Sequence, residues 1–235
     1  RPELSKGFRT DDSRAIIHPL KDTICAVYYR RNRKDKYDKI VFTTNRQESS
    51  AKQFINFLQA EASQHHFYNI VAHNGSNFDN YFLLQNMSPY QITQTNQQHR
   101  GTSVIAIQFC SHLIKDSCCF LTNSLDNLCK SYKVQNPKLT EFIIDGETLT
   151  NKNLCFYKPE LDFWEFMELE KTNVEYWREY VDYCIEDCVS LKQVWLRFTQ
   201  EITNILTSMR LSPFVLGKCK VNSNITIGGL AKKLI

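Results

Sequence analysis

Tyr68-Asn69-Ile70-Val71-Ala72-His73-Asn74-Gly75-Ser76-Asn77-Phe78-Asp79-Asn80-Tyr81 is the stretch on which the fold turns. Residues 68–73 read as a short buried-type strand. Asn74-Gly75 is a turn signal. A helix is then expected to carry Phe78, Tyr81, Phe82 and Leu84, with Asp79 in its first turn. A carboxylate so placed can point at the C-terminal edge of a sheet, where ligands gather in open α/β folds. The same residues also fit a plainer role: Asn74 and Gly75 make the turn, and Asp79 complements the helix dipole.

Upstream, residues 23–29 and 39–43 are β-rich runs around a basic turn, which predicts a hairpin. Residues 49–60 place Phe54, Phe57 and Leu58 at helical spacing. Downstream, residues 103–109 read as a strand and 124–132 as a short helix. Thr172-Asn173-Val174-Glu175 fits a capping box and opens the longest element. There Val181, Cys184, Cys188, Leu191, Trp195, Phe198, Ile202 and Leu206 recur at steps of three or four, one apolar stripe along roughly 35 residues. Pro213 closes the segment. The order of elements predicts an α/β or mixed domain. The strands near Ile24, Ile40, Ile70 and Val104 are expected in one sheet. The long helix should pack on it through Val181, Cys184, Leu191, Trp195 and Phe198.

The chain has 235 residues, enough for one large domain or two small ones. Hydrophobic residues make up 42% and charged residues 23%, which excludes disordered and fibrous classes. No run of about 18 apolar residues occurs, so no membrane span is expected. Residues 1–10 lack the apolar stretch of a signal peptide. The chain starts on Arg1 rather than Met, and residues 228–235 read as a helix barely begun, so both ends are expected to be cuts in something longer. Nine cysteines, an odd number with no C-x-x-C pair, argue against a zinc site and a secreted disulfide framework. A reducing, intracellular compartment is expected.

The net charge of +4 is too mild to indicate nucleic acid by itself, but it is unevenly spread. Residues 30–39 hold six basic and two acidic residues. Residues 141–187 hold 13 acidic and 4 basic, and residues 207–235 hold five basic and no acidic. Solvated faces explain this blandly. A carboxylate-rich site flanked by basic surfaces for a polyanion explains it more sharply. A second chemical cluster lies in the acidic stretch. Tyr183 and Asp187 are four apart on the long helix and share one face, at the margin of the apolar stripe. A carboxylate there can bind a hard cation, and a phenol one turn away can orient a water. A tyrosine lying along the surface beside an exposed Asp is the plainer alternative.

Taken together, Asn74-x-x-x-Phe78-Asp79 and Tyr183-x-x-x-Asp187 about 100 residues later resemble the second and third exonuclease motifs of family B DNA polymerases. The resemblance is closest to the protein-primed branch found in viruses, linear plasmids and related mobile elements. Residues 71–79 match that branch nearly literally. Tyr183-Cys184-x-x-Asp187-Cys188-Val189-x-Leu191 is a second good match. Residues 115–128, which include Ser124-Leu125, resemble the branch's Ser/Thr-Leu-x-x-hydrophobic segment. Residues 225–230 resemble the threonine-led helix that leads on toward the polymerase part.

The resemblance implies an RNase-H-like fold, a mixed β-sheet flanked by helices, acting as a 3′→5′ proofreading exonuclease. Residues 1–206 would form the exonuclease-like domain, and 207–235 the start of the connection toward the polymerase. In the family, four carboxylates bind two Mg²⁺ or Mn²⁺ ions. Asp79 and Asp187 would supply two, and Tyr183 would orient the attacking water. Asn74, Phe78, Ser124 and Leu125 would hold the 3′ end of single-stranded DNA. A terminal priming protein is a further partner the branch implies.

The first motif, Asp-x-Glu, is missing. Neither it nor Asp-x-Asp occurs in the first 70 residues. Asp11-Asp12-Ser13-Arg14 stands near the right place with Arg14 where Glu belongs, and Glu3 could be a remnant with Arg1 in place of the Asp. Either the chain begins just after the motif or the site is degenerate. Asp145-Gly146-Glu147 is a decoy in the wrong chain order. Lys138, His65, His66, Trp164, Trp177 and Trp195 read as surface or core residues rather than site residues.

Asp79 and Asp187 must then come within roughly 10 Å to share one metal pair. With two aspartates alone, the chain is expected to bind Mg²⁺ or Mn²⁺ weakly and to digest single-stranded DNA slowly or not at all. Strand binding should persist through Arg30, Arg31, Arg33 and Lys34 or the basic C-terminal stretch, and should weaken steeply with salt. The competing readings are a non-catalytic strand-binding module of the same fold and a stand-alone nuclease acting on RNA.

Overall fold

The computed structural model describes residues 8–9, 16–17, 23–28, 37–45, 47–135, 141–144, 147–150, 171 and 174–234. The elements in chain order are β1 (Phe8–Arg9), β2 (Ile16–Ile17), β3 (Thr23–Tyr28), β4 (Asp38–Thr43), α1 (Ser50–Ser63), β5 (Asn69–Ala72), α2 (Asp79–Gln85), α3 (Pro89–Thr93), β6 (Asn96–Arg100), β7 (Ser103–Phe109) and β8 (His112–Asp116). They continue as α4 (Leu125–Tyr132), β9 (Glu141–Ile144), β10 (Glu147–Thr150), the 35-residue α5 (Val174–Ser208), α6 (Pro213–Lys218) and α7 (Ile227–Ala231). The protein is a mixed α/β chain with a long C-terminal helix. Among the described residues, no helix is long and apolar enough to cross a membrane. The chain divides into two compact units, one of residues 1–54 and 138–189, the other of residues 55–137 and 190–235.

In the first unit, β3 and β4 form the expected antiparallel hairpin, with Ala26 opposite Ile40. Phe42 and Phe54 meet edge to face at 5.5 Å. The Cys188 thiol donates to the Cys25 carbonyl at 3.3 Å, tying the first half of α5 to β3. β9 and β10 pair antiparallel with Ile144 opposite Glu147, and Asp-Gly between two such runs is a two-residue hairpin signature. Glu147 of the Asp-x-Glu decoy therefore stands at the start of a hairpin strand. Asp145 itself lies outside the described residues, as do Arg1, Glu3, residues 11–14, the basic run 30–34, Lys138, Trp164 and the capping residues Thr172 and Asn173.

The second unit carries a four-stranded sheet of order β5-β8-β7-β6, in which only β5 and β8 run parallel. This corrects the one-sheet expectation: the hairpin of Ile24 and Ile40 forms its own two-stranded sheet. A hairpin takes its partner from the neighbouring run. β5 instead takes β8, which periodicity did not reveal. His112, Lys115 and Asp116 make β8 polar in sequence, yet all three are fully buried. The β7–β8 turn gives no glycine signal either. Cys110 and Ser111 both sit at positive φ, 48° and 66°, as a two-residue primed turn requires. β6 reads Asn-Gln-Gln-His-Arg, the polar composition that protects a sheet edge.

The second half of α5 packs in this unit. Val194, Trp195, Phe198 and Leu206 join Leu121, Leu125, Leu128, Cys219, Val221 and Leu230 in one core. Trp195 and Phe198 thus fulfil the stripe. In the first half Tyr183, Ile185 and Val189 are among the buried residues, while Val181 and Cys184 are half-buried. The stripe widens there into a face that one line of apolar residues does not describe. Pro213 opens α6, where its missing N–H costs nothing. The cysteines that fall on described residues are free thiols.

His112 locks β8 to α1. The Tyr68 N–H donates to its Nδ1 at 3.1 Å, so Nε2 carries the proton and faces the Leu58 carbonyl at 2.8 Å. Burial lowers its pKa below 6.5, against the opposing pull of the Leu58 carbonyl and the Glu61 charge. The unfolded chain therefore takes up the proton first. Stability should be full above about pH 6.5 and be lost as pH falls toward the folded pKa. Thermal unfolding against pH is expected to show this slope, flattened in His112→Gln.

Candidate functional site

β5 ends at Ala72, and the chain turns through a short 3₁₀ segment, Gly75–Asn77, before Asp79 begins α2. Asn74 sits in the left-handed region at φ 66°, a conformation Asn tolerates better than other side chains. Its Oδ1 accepts from Asn77 Nδ2 at 2.6 Å. A side chain at Gly75 would place Cβ 2.8 Å from that of Ala72, so glycine is required for the turn to lie against the strand end. Phe78 stands at the N-cap of the helix after this turn, which buries Asn80 and Leu83. Asn80 Nδ2 donates to the Val104 carbonyl at 2.6 Å and pins α2 to β7. Phe78 is 70% exposed and stacks on Phe82 at 6.2 Å.

Asp79 is exposed, yet the atoms crowding its carboxyl raise its pKa. Burial is the larger cause, the Asp116 charge adds to it, and the Asp79 backbone N–H opposes it. Asp116 is fully buried. Burial pushes its pKa up, but hydrogen bonds from the Ser76 hydroxyl and the N–H groups of Cys118, Ser76 and Asn74 prevail, and the net value is below that of an ordinary carboxylate. His73 Nδ1 lies 2.8 Å from Ser117 Oγ and 3.7 Å from Cys118 Sγ. The Cys118 thiol is pushed up to about 11, by burial first and then by Asp116. It is therefore a protonated thiol at neutral pH, not an activated nucleophile.

Ser124 caps α4 by accepting from the Asn127 N–H at 3.3 Å, and Leu125 is buried in the core. Thr226 caps α7 through the Gly229 N–H at 3.0 Å. The basic residues Arg210, Lys218, Lys220, Lys232 and Lys233 are exposed. His65 and His66 are exposed, as the sequence indicated.

In the other unit, Tyr183 and Asp187 lie one turn apart on α5. Tyr183 is only 7% exposed, deeper than the stripe margin suggested. Asp187 is half-buried with Oδ1 wholly enclosed. The adjoining Cys188 thiol is pushed up to about 12, by burial first, then by Cys184 and Asp187. Asn74, Phe78 and Asp79 are thus brought together in one unit, and Tyr183 and Asp187 in the other. Carboxylates are the hard oxygen donors that Mg²⁺ and Mn²⁺ prefer. Their type fits, but their number is short: among the described residues, no group of three or more His, Cys, Asp or Glu could hold a metal ion.

Sequence reasoning passed over Lys115 and Asp116 as individual residues. The hydrogen bonds of Lys115 reach a partner 106 residues away and those of Asp116 one 42 residues away, which no local pattern reports. Residues 61–234 match the model of one family, described as DNA polymerase type B, organellar and viral. No curated protein and no solved structure matches the chain.

Proposed function

We propose that this chain, which belongs to the organellar and viral type B DNA polymerases, is the 3′→5′ proofreading exonuclease region of a protein-primed member of that family. In this reading it has an RNase-H-like fold. Residues 1–206 form the exonuclease part, and 207–235 begin the connection toward the polymerase part. The observation that carries the proposal is the turn at the end of β5. There a left-handed Asn74 and an Asp79 at a helix start stand beside a parallel strand pair, within the region that matches the family.

Asp79 and Asp187 would hold Mg²⁺ or Mn²⁺. When bound, such ions activate water and stabilise the displaced oxygen of a phosphodiester. Tyr183, one turn before Asp187, orients the water with its phenol. Asn74 holds the terminal nucleotide, and the exposed Phe78–Phe82 stack gives a base an aromatic face. Ser124 lines the path of the strand at the N-cap of α4, and Leu125, buried in the core, seats that first turn. A terminal priming protein is the partner this branch implies.

The test is a 5′-labelled single strand incubated with the polymerase and Mg²⁺ or Mn²⁺. It should shorten nucleotide by nucleotide from the 3′ end, with DNA preferred over competing RNA. Preference for RNA would sink the DNA assignment. Strand binding without hydrolysis would point instead to a non-catalytic binding module of the same fold.

A further inference from the structure

Asp116 ends β8, and in the parallel register it stands opposite Ala72, the last residue of β5. Its side chain is fully buried. Oδ1 accepts from the backbone N–H of Asn74 at 3.0 Å and of Cys118 at 2.8 Å. Oδ2 accepts from the Ser76 N–H at 3.0 Å and from the Ser76 hydroxyl at 2.5 Å. An ionised carboxylate has about four acceptor sites, so these donors fill it. It has no capacity left to serve as a metal ligand. Three of the four donors are backbone N–H groups, and two of those belong to the turn itself. A non-glycine residue at positive φ persists only when its surroundings over-determine it. Here two restraints converge on the turn. Asp116 grips the N–H groups on either side of Gly75, and Gly75 itself lies flush against Ala72.

We propose that Asp116 is the positioning residue of the Asn74–Asp79 turn. It holds Asn74 in the left-handed conformation and thereby aims the Asn74 side chain at the DNA strand. The inference rests on the reading of Asn74 as a strand-holding residue. It adds that the aim of Asn74 is set by a buried anion on the neighbouring strand, not by the turn's own sequence. Asp116→Asn keeps the size and one acceptor oxygen, but turns an NH₂ group toward the Ser76 N–H. Ser76→Ala removes one donor and leaves the carboxylate in place.

The alternative is that Asp116 only staples the fold, and binding in the absence of metal separates the two. Anisotropy of a labelled single strand would be measured on the full chain in EDTA, well below the melting temperature of every variant. Asn74→Ala and Asp116→Asn should each weaken binding about tenfold, and Ser76→Ala about threefold, the size expected for losing one or part of one charge-assisted hydrogen-bond set. The double variant Asp116→Asn/Asn74→Ala should bind no more weakly than Asn74→Ala, because Asp116 acts through Asn74.

Wild-type binding by Asp116→Asn beside a weakened Asn74→Ala would overturn the inference alone. Losses that multiply in the double variant would do the same. Wild-type binding by Asn74→Ala would overturn the strand-holding reading and the inference with it. Should Asp116→Asn fail to fold, Ser76→Ala decides: its loss should vanish in the Asn74→Ala background, and its persistence there would overturn the proposal.

Discussion

In a form of the polymerase that supplies the Asp-x-Glu carboxylates of the first motif, replacing Asp187 by Ala is expected to lower metal-dependent removal of 3′-terminal nucleotides by about a thousandfold, roughly 4 kcal/mol of barrier. Asp79→Ala should do the same. The argument lies in charge. A divalent ion dehydrates reluctantly and needs a nearly complete oxygen shell, so losing one carboxylate disables the site rather than trimming it. In the proposed site both residues are ligands of one ion pair, although they are about 100 residues apart in the sequence. The double variant should therefore be no worse than either single one, since groups that act as one unit are strongly non-additive. In that form, Mn²⁺ titration followed by electron paramagnetic resonance should show binding that is lost in both single variants. Asp79 is exposed and Asp187 half-buried, so neither replacement should unfold the protein. Independent, multiplying losses would show that the two carboxylates serve different sites, and the exonuclease reading would fail.

Lys115→Met should cost several kcal/mol of stability, the largest effect we expect from a residue outside the site. The Lys115 side chain is fully buried in β8. Its Nζ donates to the carbonyls of Val221, Asn222 and Asn224 at 3.1, 3.2 and 3.1 Å. It also lies over the rings of Trp195 and Phe120, 5.1 and 5.6 Å from their centroids. Burial holds its pKa down to about 8, so at pH 7 it is still mostly the ammonium that fills this cage. Met has nearly the same length and none of the donors. It would leave three carbonyls with lost partners, at about 1–3 kcal/mol for each one that stays buried. Chemical denaturation should show the loss as a lower midpoint, and hydrogen exchange should rise in residues 220–224. Wild-type stability in Lys115→Met would mean that water replaces the ammonium without penalty.

Much of this chain is legible from local chemistry alone. The 71–79 turn needed only its residue types: an apolar run, Asn-Gly, then Asp at a helix start. The α5 helix was legible because steps of three and four hold over eight apolar positions. The hairpin at 23–43 and the short helix after Ser124 are likewise short-range matters, settled by groups a few bonds apart. The family, too, is carried by motifs whose order and spacing survive in one dimension.

The tertiary structure alone decided the rest. It separated the hairpin of Ile24 and Ile40 from the sheet of Ile70 and Val104. It inserted β8, whose polar His112, Lys115 and Asp116 carry no local mark of burial and are buried. It also sank Tyr183 below the apolar stripe. The physical reason is the same in each case. A buried polar group is tolerable only when its hydrogen bonds are met. The partners that meet them here, Leu58 for His112, Val221 for Lys115 and Asn74 for Asp116, lie 54, 106 and 42 positions away. Sequence fixes which side chains need partners, and only the fold decides where those partners are.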